Sequence, residues 1–205
     1  MDSEGDRGMK ESNFFAILSR MKYVNRWGLM RNSRNESLSD HTLDVIFITH
    51  ALVEIANEYY GADLDAGRAV ILAAFHDASE IITGDLPTPV KYFDPQIKQA
   101  YDNVENSAIN SMINTLPCEM KEKYSDIMLF DGEGDEILKK YVKAADKISA
   151  LIKCIEEEES GNNDFRLAKE STWNYIKDMG MPEIEYFIKI FLPGYRLTLD
   201  EQISG

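Results

Sequence analysis

At 205 residues with 44% hydrophobic content, the chain can bury one substantial core, and a single domain is the expectation. Its net charge of −14 makes a nucleic-acid polymer a poor partner, because such binding needs clustered Lys and Arg, whereas a small nucleotide can be met by a metal ion and one or two local cations. Cys118 and Cys154 have no ligand or redox spacing, which argues against a disulfide framework, and no apolar run has signal-peptide or bilayer length, so a cytoplasmic protein with no membrane partner is expected.

Helical spacing dominates and strict apolar-polar alternation is scarce, so an all-α architecture is predicted. Ser12 can cap a first helix over residues 12–24, with Phe14, Phe15, Leu18 and Met21 on one stripe, and a polar, Arg-rich connector covers residues 25–35. A second helix opens near Ser37 or Ser39, carries Leu43, Ile46, Phe47, Ala51 and Ile55, and stops at Gly61. The third is expected over residues 65–83, ended by Gly84. The stretch Gly84-Asp85-Leu86-Pro87-Thr88-Pro89 is predicted to be an ordered loop, since each Pro lacks an amide hydrogen and restricts the residue before it.

Asp94 and Pro95 cap and open a fourth helix reaching about residue 116, and a short helical piece follows Pro117. The segment Asp131-Gly132-Glu133-Gly134-Asp135 resembles a calcium loop in composition only. It lacks Gly at the sixth position and Glu at the twelfth, and reads as a plain turn. A long helix is expected over residues 136–159 and another over 164–177, and Pro182 opens the last, ending near residue 192. Trp173, Tyr175, Met179, Tyr186 and Phe187 in these C-terminal helices suit either core or a subunit interface.

The strongest local signal is Ala74-Phe75-His76-Asp77-Ala78-Ser79-Glu80. Neighbours on a helix are about 100° apart, so His76 and Asp77 can reach one ion from the same turn, and Glu80 projects from that side one turn along. His41, one of only three histidines, stands at the start of the second helix after Ser39 and Asp40. Asp146 falls on the apolar line of Val142, Ala145 and Ser149, where a carboxylate is costly unless paired or metal-bound. Two His and two Asp from three helices suit a six-coordinate divalent ion with positions open for water and phosphate. Manganese, cobalt, magnesium or iron fits such a set better than a closed structural zinc. His50, among Phe47, Ala51 and Ile55, reads as a satisfied core or supporting histidine rather than a ligand. Between residues 12 and 35 the chain carries Arg20, Lys22, Arg26, Arg31 and Arg34 and no acidic residue, a local anion-attracting segment.

In order and spacing, His41, His76-Asp77 and Asp146 resemble the H…HD…D signature of the HD-domain phosphohydrolases. Phe14-Phe15-Ala16, Asn25-Arg26-Trp27, Leu29-Met30-Arg31-Asn32, the run 76–93 and Gly161-Asn162-Asn163 resemble, more narrowly, the bacterial 5'-deoxynucleotidases. The likeness covers residues 10–205, a single HD-domain helical bundle, and leaves residues 1–9 as a tail. It implies hydrolysis of deoxyribonucleoside 5'-monophosphates with one divalent metal ion, and a homodimer. His41, His76, Asp77 and Asp146 are the implied ligands. Arg26 is implied to orient the phosphate, Trp27 to pack against the sugar, Asp85, Leu86, Pro87 and Thr88 to line the nucleotide pocket, and Glu80 to be the catalytic carboxylate. Asp40 stands where Glu is expected, which removes no ligand.

A wall closing on the 2' carbon would reject a ribose hydroxyl and favour deoxyribose. Either Glu80 or Asp85 can orient the attacking water or move protons, and the sequence leaves that choice open. Two other activities share these features: a deoxynucleoside triphosphate triphosphohydrolase, and a nucleotide-binding regulator without turnover. A purely structural helical bundle leaves Asp146 and the His-Asp pair unexplained.

Overall fold

The computed structural model of the chain describes residues 11–91 and 93–204, and the expected tail over residues 1–9 lies outside them. Ser12 accepts the Phe14 amide at 3.3 Å before α1 (Phe14–Leu18). The single helix expected here tightens after α1 into a 3-10 segment, Ser19–Tyr23, and the connector then leads to α2 (Leu38–Tyr60). Ser37 and Asp40 cap each other reciprocally, amide to side chain in both directions, which satisfies two otherwise orphaned donors and fixes where α2 begins. Gly61, at φ 71°, ends it in the left-handed region that a side chain would strain.

Asp65 caps α3 (Ala66–Phe75), which stops earlier than expected. A continuing α-helix would use the Ala73 carbonyl for the Asp77 amide, but His76 Nδ1 takes that carbonyl at 2.7 Å. Residues 76–79 then turn tightly, with Ala78 N bonded to Phe75 O and Glu80 N to Asp77 O, before α4 (Glu80–Thr83). The predicted loop is extended only through Pro87. Thr88–Lys91 forms α5, because Pro89 occupies a first-turn position where its missing amide hydrogen is not needed, while Pro87 O accepts from Val90 and Lys91.

Four long helices follow: α6 (Pro95–Ile113), α7 (Cys118–Leu129), α8 (Asp135–Glu159) and α9 (Arg166–Asp178). The chain closes with α10 (Pro182–Ile190), a 3-10 turn Leu192–Arg196 and α11 (Leu199–Ile203), so the Pro182 helix is not the last. No strand occurs among the described residues, and one isolated antiparallel bridge joins Asn25 to Ser37. In the turn before α8, Arg68 holds the Asp135 carboxylate at 2.6 and 2.9 Å.

The main core is built where α2, α3 and α8 meet, from Val45, Ile48, Leu52, Leu72, Ala145, Ile148 and their neighbours, and α9 and α10 close over it. A second cluster joins Phe14, Ala78, Met112 and Met128. Removing this apolar area from water is the principal drive holding the site's helices together. On α2 the inward face differs from expectation: Leu43 and Phe47 are exposed, at 52% and 64%, while Val45, Ile48 and Leu52 are buried. Among the C-terminal residues, Phe187 is core, Trp173, Met179 and Tyr186 pack against it, and Tyr175 is exposed. No helix among the described residues is long and apolar enough to cross a membrane.

Candidate functional site

The break after α3 aims His76 and Asp77 at the first turn of α2, which carries His41, and at the middle of α8, which carries Asp146. His41 Nε2 lies 3.6 Å from Asp77 Oδ2 and 3.4 Å from Asp146 Oδ1, and His76 Nε2 lies 3.0 Å from Asp77 Oδ2. The ligand-type atoms of His41, His76 and Asp77 all fall within 4.8 Å of one another. Asp146 joins this set through His41 on one oxygen, and its other oxygen pairs with Lys143 at 2.8 Å and Lys147 at 3.3 Å.

Both histidines present Nε2 to the cluster. His76 Nδ1 donates to the Ala73 carbonyl, which can only accept, so in the neutral ring Nε2 holds the lone pair. His41 Nδ1 is 3.0 Å from Ser149 Oγ, a partner that fixes the ring from behind. Each Nε2 is buried without a hydrogen-bond partner. Two orphaned imidazole nitrogens facing two carboxylates form a donor set that a divalent cation would satisfy, so the residues fit the expected metal.

The electrostatics are those of packed opposite charges. Burial and the nearby Arg26 push the His41 ring below its usual range, against the pull of Asp146. Burial works against the Asp77 and Asp146 carboxylates, but His76 outweighs it for Asp77, and His41 with Lys143 and Lys147 outweighs it for Asp146, so both lie well below the usual range. Glu80 goes the other way: burial, then Asp77 and Asp85, push its carboxyl up to about 10, and its Oε2 is buried without a partner. Burial also raises Asp85.

Arg26 and Trp27 stand at the rim of this cluster. Arg26 Nη1 donates to Glu36 Oε1 at 2.6 Å, its guanidinium sits 5.7 Å from the Trp27 ring, and its Nε is buried without a partner. Trp27 is one of two described non-glycine residues at positive φ, at 60°. Its indole donates to Glu36 Oε2 at 2.8 Å, its amide to Asp85 Oδ2 at 3.3 Å, and its ring packs on Phe165 at 5.2 Å. The Asp85 contact ties the stretch after α4 to the connector. Beyond it, Leu86 and Pro87 are half-buried and Thr88 is exposed at the start of α5.

The family model described as 5'-deoxynucleotidase YfbR-like matches residues 13–195. This chain belongs to the YfbR-like 5'-deoxynucleotidase family. The 5'-deoxynucleotidase YfbR of Escherichia coli (strain K12) is 45% identical over 193 residues, spanning 94% of this chain and 96% of that protein. Among solved structures, an HD-domain phosphohydrolase from Listeria innocua superposes with a TM-score of 0.78 at 24% identity, covering 89% of this chain and 88% of its own. The cyanophage S-2L HD phosphohydrolase DatZ, bound to dA and one catalytic zinc ion, gives a TM-score of 0.61 at 16% identity, covering 88% and 95%. These two likenesses carry the HD-domain fold.

Within this YfbR-like fold, several sequence expectations are redrawn by geometry. Glu80 does not share a continuous helix with His76, although it approaches Asp77 closely enough for their charges to interact. His50 is on the outer face of α2, 3.7 Å from Glu54, and belongs neither to the core nor to the support of the site. Of the five cations between residues 12 and 35, Arg26 alone is described in contact with the site's groups. Arg31 pairs with Asp164, and Arg20 and Lys22 lie over Tyr23. The residue that sequence reasoning passed over is Glu36. It ends the cation-rich connector immediately before the Ser37 cap, and that adjacency to both motifs was the available signal.

Proposed function

We infer that this chain hydrolyses deoxyribonucleoside 5'-monophosphates to deoxynucleoside and inorganic phosphate, using a divalent metal ion held by His41, His76, Asp77 and Asp146. The observation that carries the reading is the pair of partnerless Nε2 atoms facing two carboxylates, with Arg26 and Trp27 alongside, in a chain of the 5'-deoxynucleotidase family. A divalent ion bound there supplies Lewis-acid polarisation of a phosphate oxygen and acidifies a water. Manganese, cobalt or magnesium suits the mixed nitrogen and oxygen donors.

The protein's own groups do the rest. Arg26 is held on Nη1 by Glu36, which fixes its guanidinium beside the metal-type cluster, where its planar fork suits a phosphate oxygen. Trp27 offers a rigid face to the sugar, with Asp85 fixing its backbone and Leu86, Pro87 and Thr88 continuing the pocket wall. Glu80, whose carboxyl is pushed up by burial and then by Asp77 and Asp85, suits delivery of a proton to the leaving 5' oxygen, while Asp85 suits orientation of the attacking water. A homodimer belongs to the same proposal, and the exposed apolar residues Leu43 and Phe47 support it, with light scattering as its test. So does one catalytic domain over residues 10–205.

The decisive assay is phosphate release from matched deoxyribo- and ribonucleoside monophosphates with manganese, cobalt or magnesium, repeated with Trp27→Ala. The expected results are phosphate from dAMP, little from AMP, and a narrowed difference in Trp27→Ala. Release of tripolyphosphate from dATP in place of phosphate from dAMP would overturn the substrate assignment, and binding of dAMP without product would overturn the chemistry.

A further inference from the structure

A carboxylate at 9% exposure uses both of its oxygens on Arg26 and Trp27, the two residues assigned above to the phosphate and the sugar. Glu36 Oε1 accepts Arg26 Nη1 at 2.6 Å, and Oε2 accepts the Trp27 indole at 2.8 Å. The main chain repeats the connection: Glu36 O accepts the Arg26 amide at 3.0 Å, Leu38 N donates to Val24 O at 2.8 Å, and Asn25 bridges Ser37. Glu36 also stands immediately before the cap of α2, and its Oε1 is 3.6 Å from His41 Nδ1. One side chain therefore ties Arg26 and Trp27 to the helix that carries His41.

The need for such a fixture is visible in the backbone. Trp27 lies at φ 60°, a conformation that a residue with a bulky side chain holds only when its surroundings over-determine it. The restraints are few and identifiable: the Asp85 carboxylate on its amide, Phe165 on its ring, Met30 N and Asn32 Nδ2 on its carbonyl, and Glu36 on its indole nitrogen. Of these, Glu36 alone sets the tilt of the indole plane through a directed hydrogen bond at the ring's far edge. A structural ion pair would need Arg26 only. The second, indole bond is what gives this carboxylate a bearing on the sugar.

We propose that Glu36 is a positioning residue that locks Arg26 and Trp27 into one unit and so sets the preference for deoxyribose over ribose. The proposal rests on the deoxynucleotidase reading above. With the indole released, the wall recedes by rotation about a side-chain bond, and a 2'-hydroxyl finds room. With the guanidinium released, phosphate is bound less well at unchanged chemistry.

The test measures kcat and KM for dAMP and AMP at saturating manganese in wild type, Glu36→Gln, Trp27→Phe and the double variant, together with the rise in Tm on adding manganese. Glu36→Gln keeps the size but offers one carbonyl oxygen where two donors need acceptors. It is expected to raise KM for dAMP and to lower the dAMP-over-AMP preference about tenfold, the equivalent of one lost hydrogen bond, while the manganese-induced rise in Tm remains. In the Trp27→Phe background, which lacks the indole donor, adding Glu36→Gln should leave the preference unchanged. Equal loss of kcat/KM for both substrates, or a fully additive loss of preference in the double variant, would overturn the proposal and leave Glu36 a structural carboxylate. If Glu36→Gln fails to melt cooperatively, Glu36→Asp serves: it keeps a charge for Arg26 but is one methylene too short to span both donors, and an undiminished preference in it overturns the proposal equally. Wild type that releases no phosphate from dAMP, or makes no distinction between the sugars, sinks the deoxynucleotidase reading itself, whereas a selective wild type with an equally selective Glu36→Gln sinks only the role of Glu36.

Discussion

Glu157 is the point at which the connector bearing Arg26 and Trp27 is fastened to α8, and its removal has a calculable cost. The side chain is 1% exposed and accepts four donors: Lys153 Nζ, Ser33 N at 2.9 Å, Arg34 N at 3.4 Å and Asn162 Nδ2 at 2.7 Å. Lys153, itself 7% exposed on its side chain, also donates to Arg34 O at 2.6 Å. Burial alone would push the Glu157 carboxyl up, but Lys153 and the Ser33 and Asn162 donors outweigh it and bring it from 4.5 down to about 2. At 1.36 kcal/mol per unit, that difference is worth about 3 kcal/mol. Breaking a buried pair by deleting one partner costs about 3–5 kcal/mol, because the surviving charge is stranded, so two routes give one magnitude.

The sign follows from the direction of the shift. A carboxyl depressed on folding contributes its full stability above the unfolded value of 4.5 and loses it as the pH falls toward about 2. Urea denaturation of wild type and Glu157→Gln at pH 7 and pH 3 measures this directly. The stability difference should be about 3 kcal/mol at pH 7 and should shrink to less than half at pH 3, where the unfolded chain is already protonated. The same variant should raise KM for dAMP, since residues 31–34 lose their anchor. A difference under about 1 kcal/mol at pH 7, or one that does not change between the two pH values, would refute the account.

Three further outcomes follow from other contacts. Arg68→Ala leaves Asp135, with its fully buried side chain, without its two-nitrogen grip; a loss of about 3 kcal/mol, or roughly 6–12 °C in Tm for a chain of this size, should appear by thermal melting with phosphate release per folded molecule retained. Glu80→Ala should lower kcat for dAMP by about 10²–10⁴-fold in steady-state assays while the manganese-induced rise in Tm persists; full turnover in a folded Glu80→Ala protein would remove that carboxyl from the mechanism. Chelation followed by manganese titration should raise stability by about 2.7 kcal/mol at a hundredfold excess over the dissociation constant, and Asp77→Ala should abolish the effect.

The cluster of His41, His76, Asp77 and Asp146 was legible in the sequence because its parts are unusual in one dimension: few histidines, a His-Asp pair, and a carboxylate on the apolar line of α8. The ends of α2 were legible to within two residues, with Ser37 or Ser39 at its start and Gly61 at its end, and the structure selects Ser37 through its reciprocal cap with Asp40. The break after Phe75 was not. No Gly or Pro marks it, and at the break both the ring and the amide of His76 take the Ala73 carbonyl that a continuing α-helix would give to the Asp77 amide. The exposure of Leu43, Phe47 and His50 was misread because α2 carries apolar residues on more than one face, and only packing against α3 and α8 selects among them. Glu36 escaped for a related reason. A lone acidic residue beside a cation-rich stretch looks like surface, and only the return of the connector onto α2 turns its two oxygens onto Arg26 and Trp27.

Composition raised the sharpest objection to a phosphate ligand, a net charge of −14, and local geometry answers it. Burial works against the charge on Arg26, yet Glu36, Asp146, Asp77 and Asp85 surround it and keep its guanidinium more firmly protonated than usual. Burial and two of those same carboxylates, Asp77 and Asp85, push the Glu80 carboxyl the opposite way, above its ordinary range. An incoming anion thus meets one cation that its neighbours hold charged, and an acidic group whose negative form they disfavour. The potential at such a point depends on groups within a few ångströms, behind low-dielectric walls, and the sum of charges over the whole surface does not determine it.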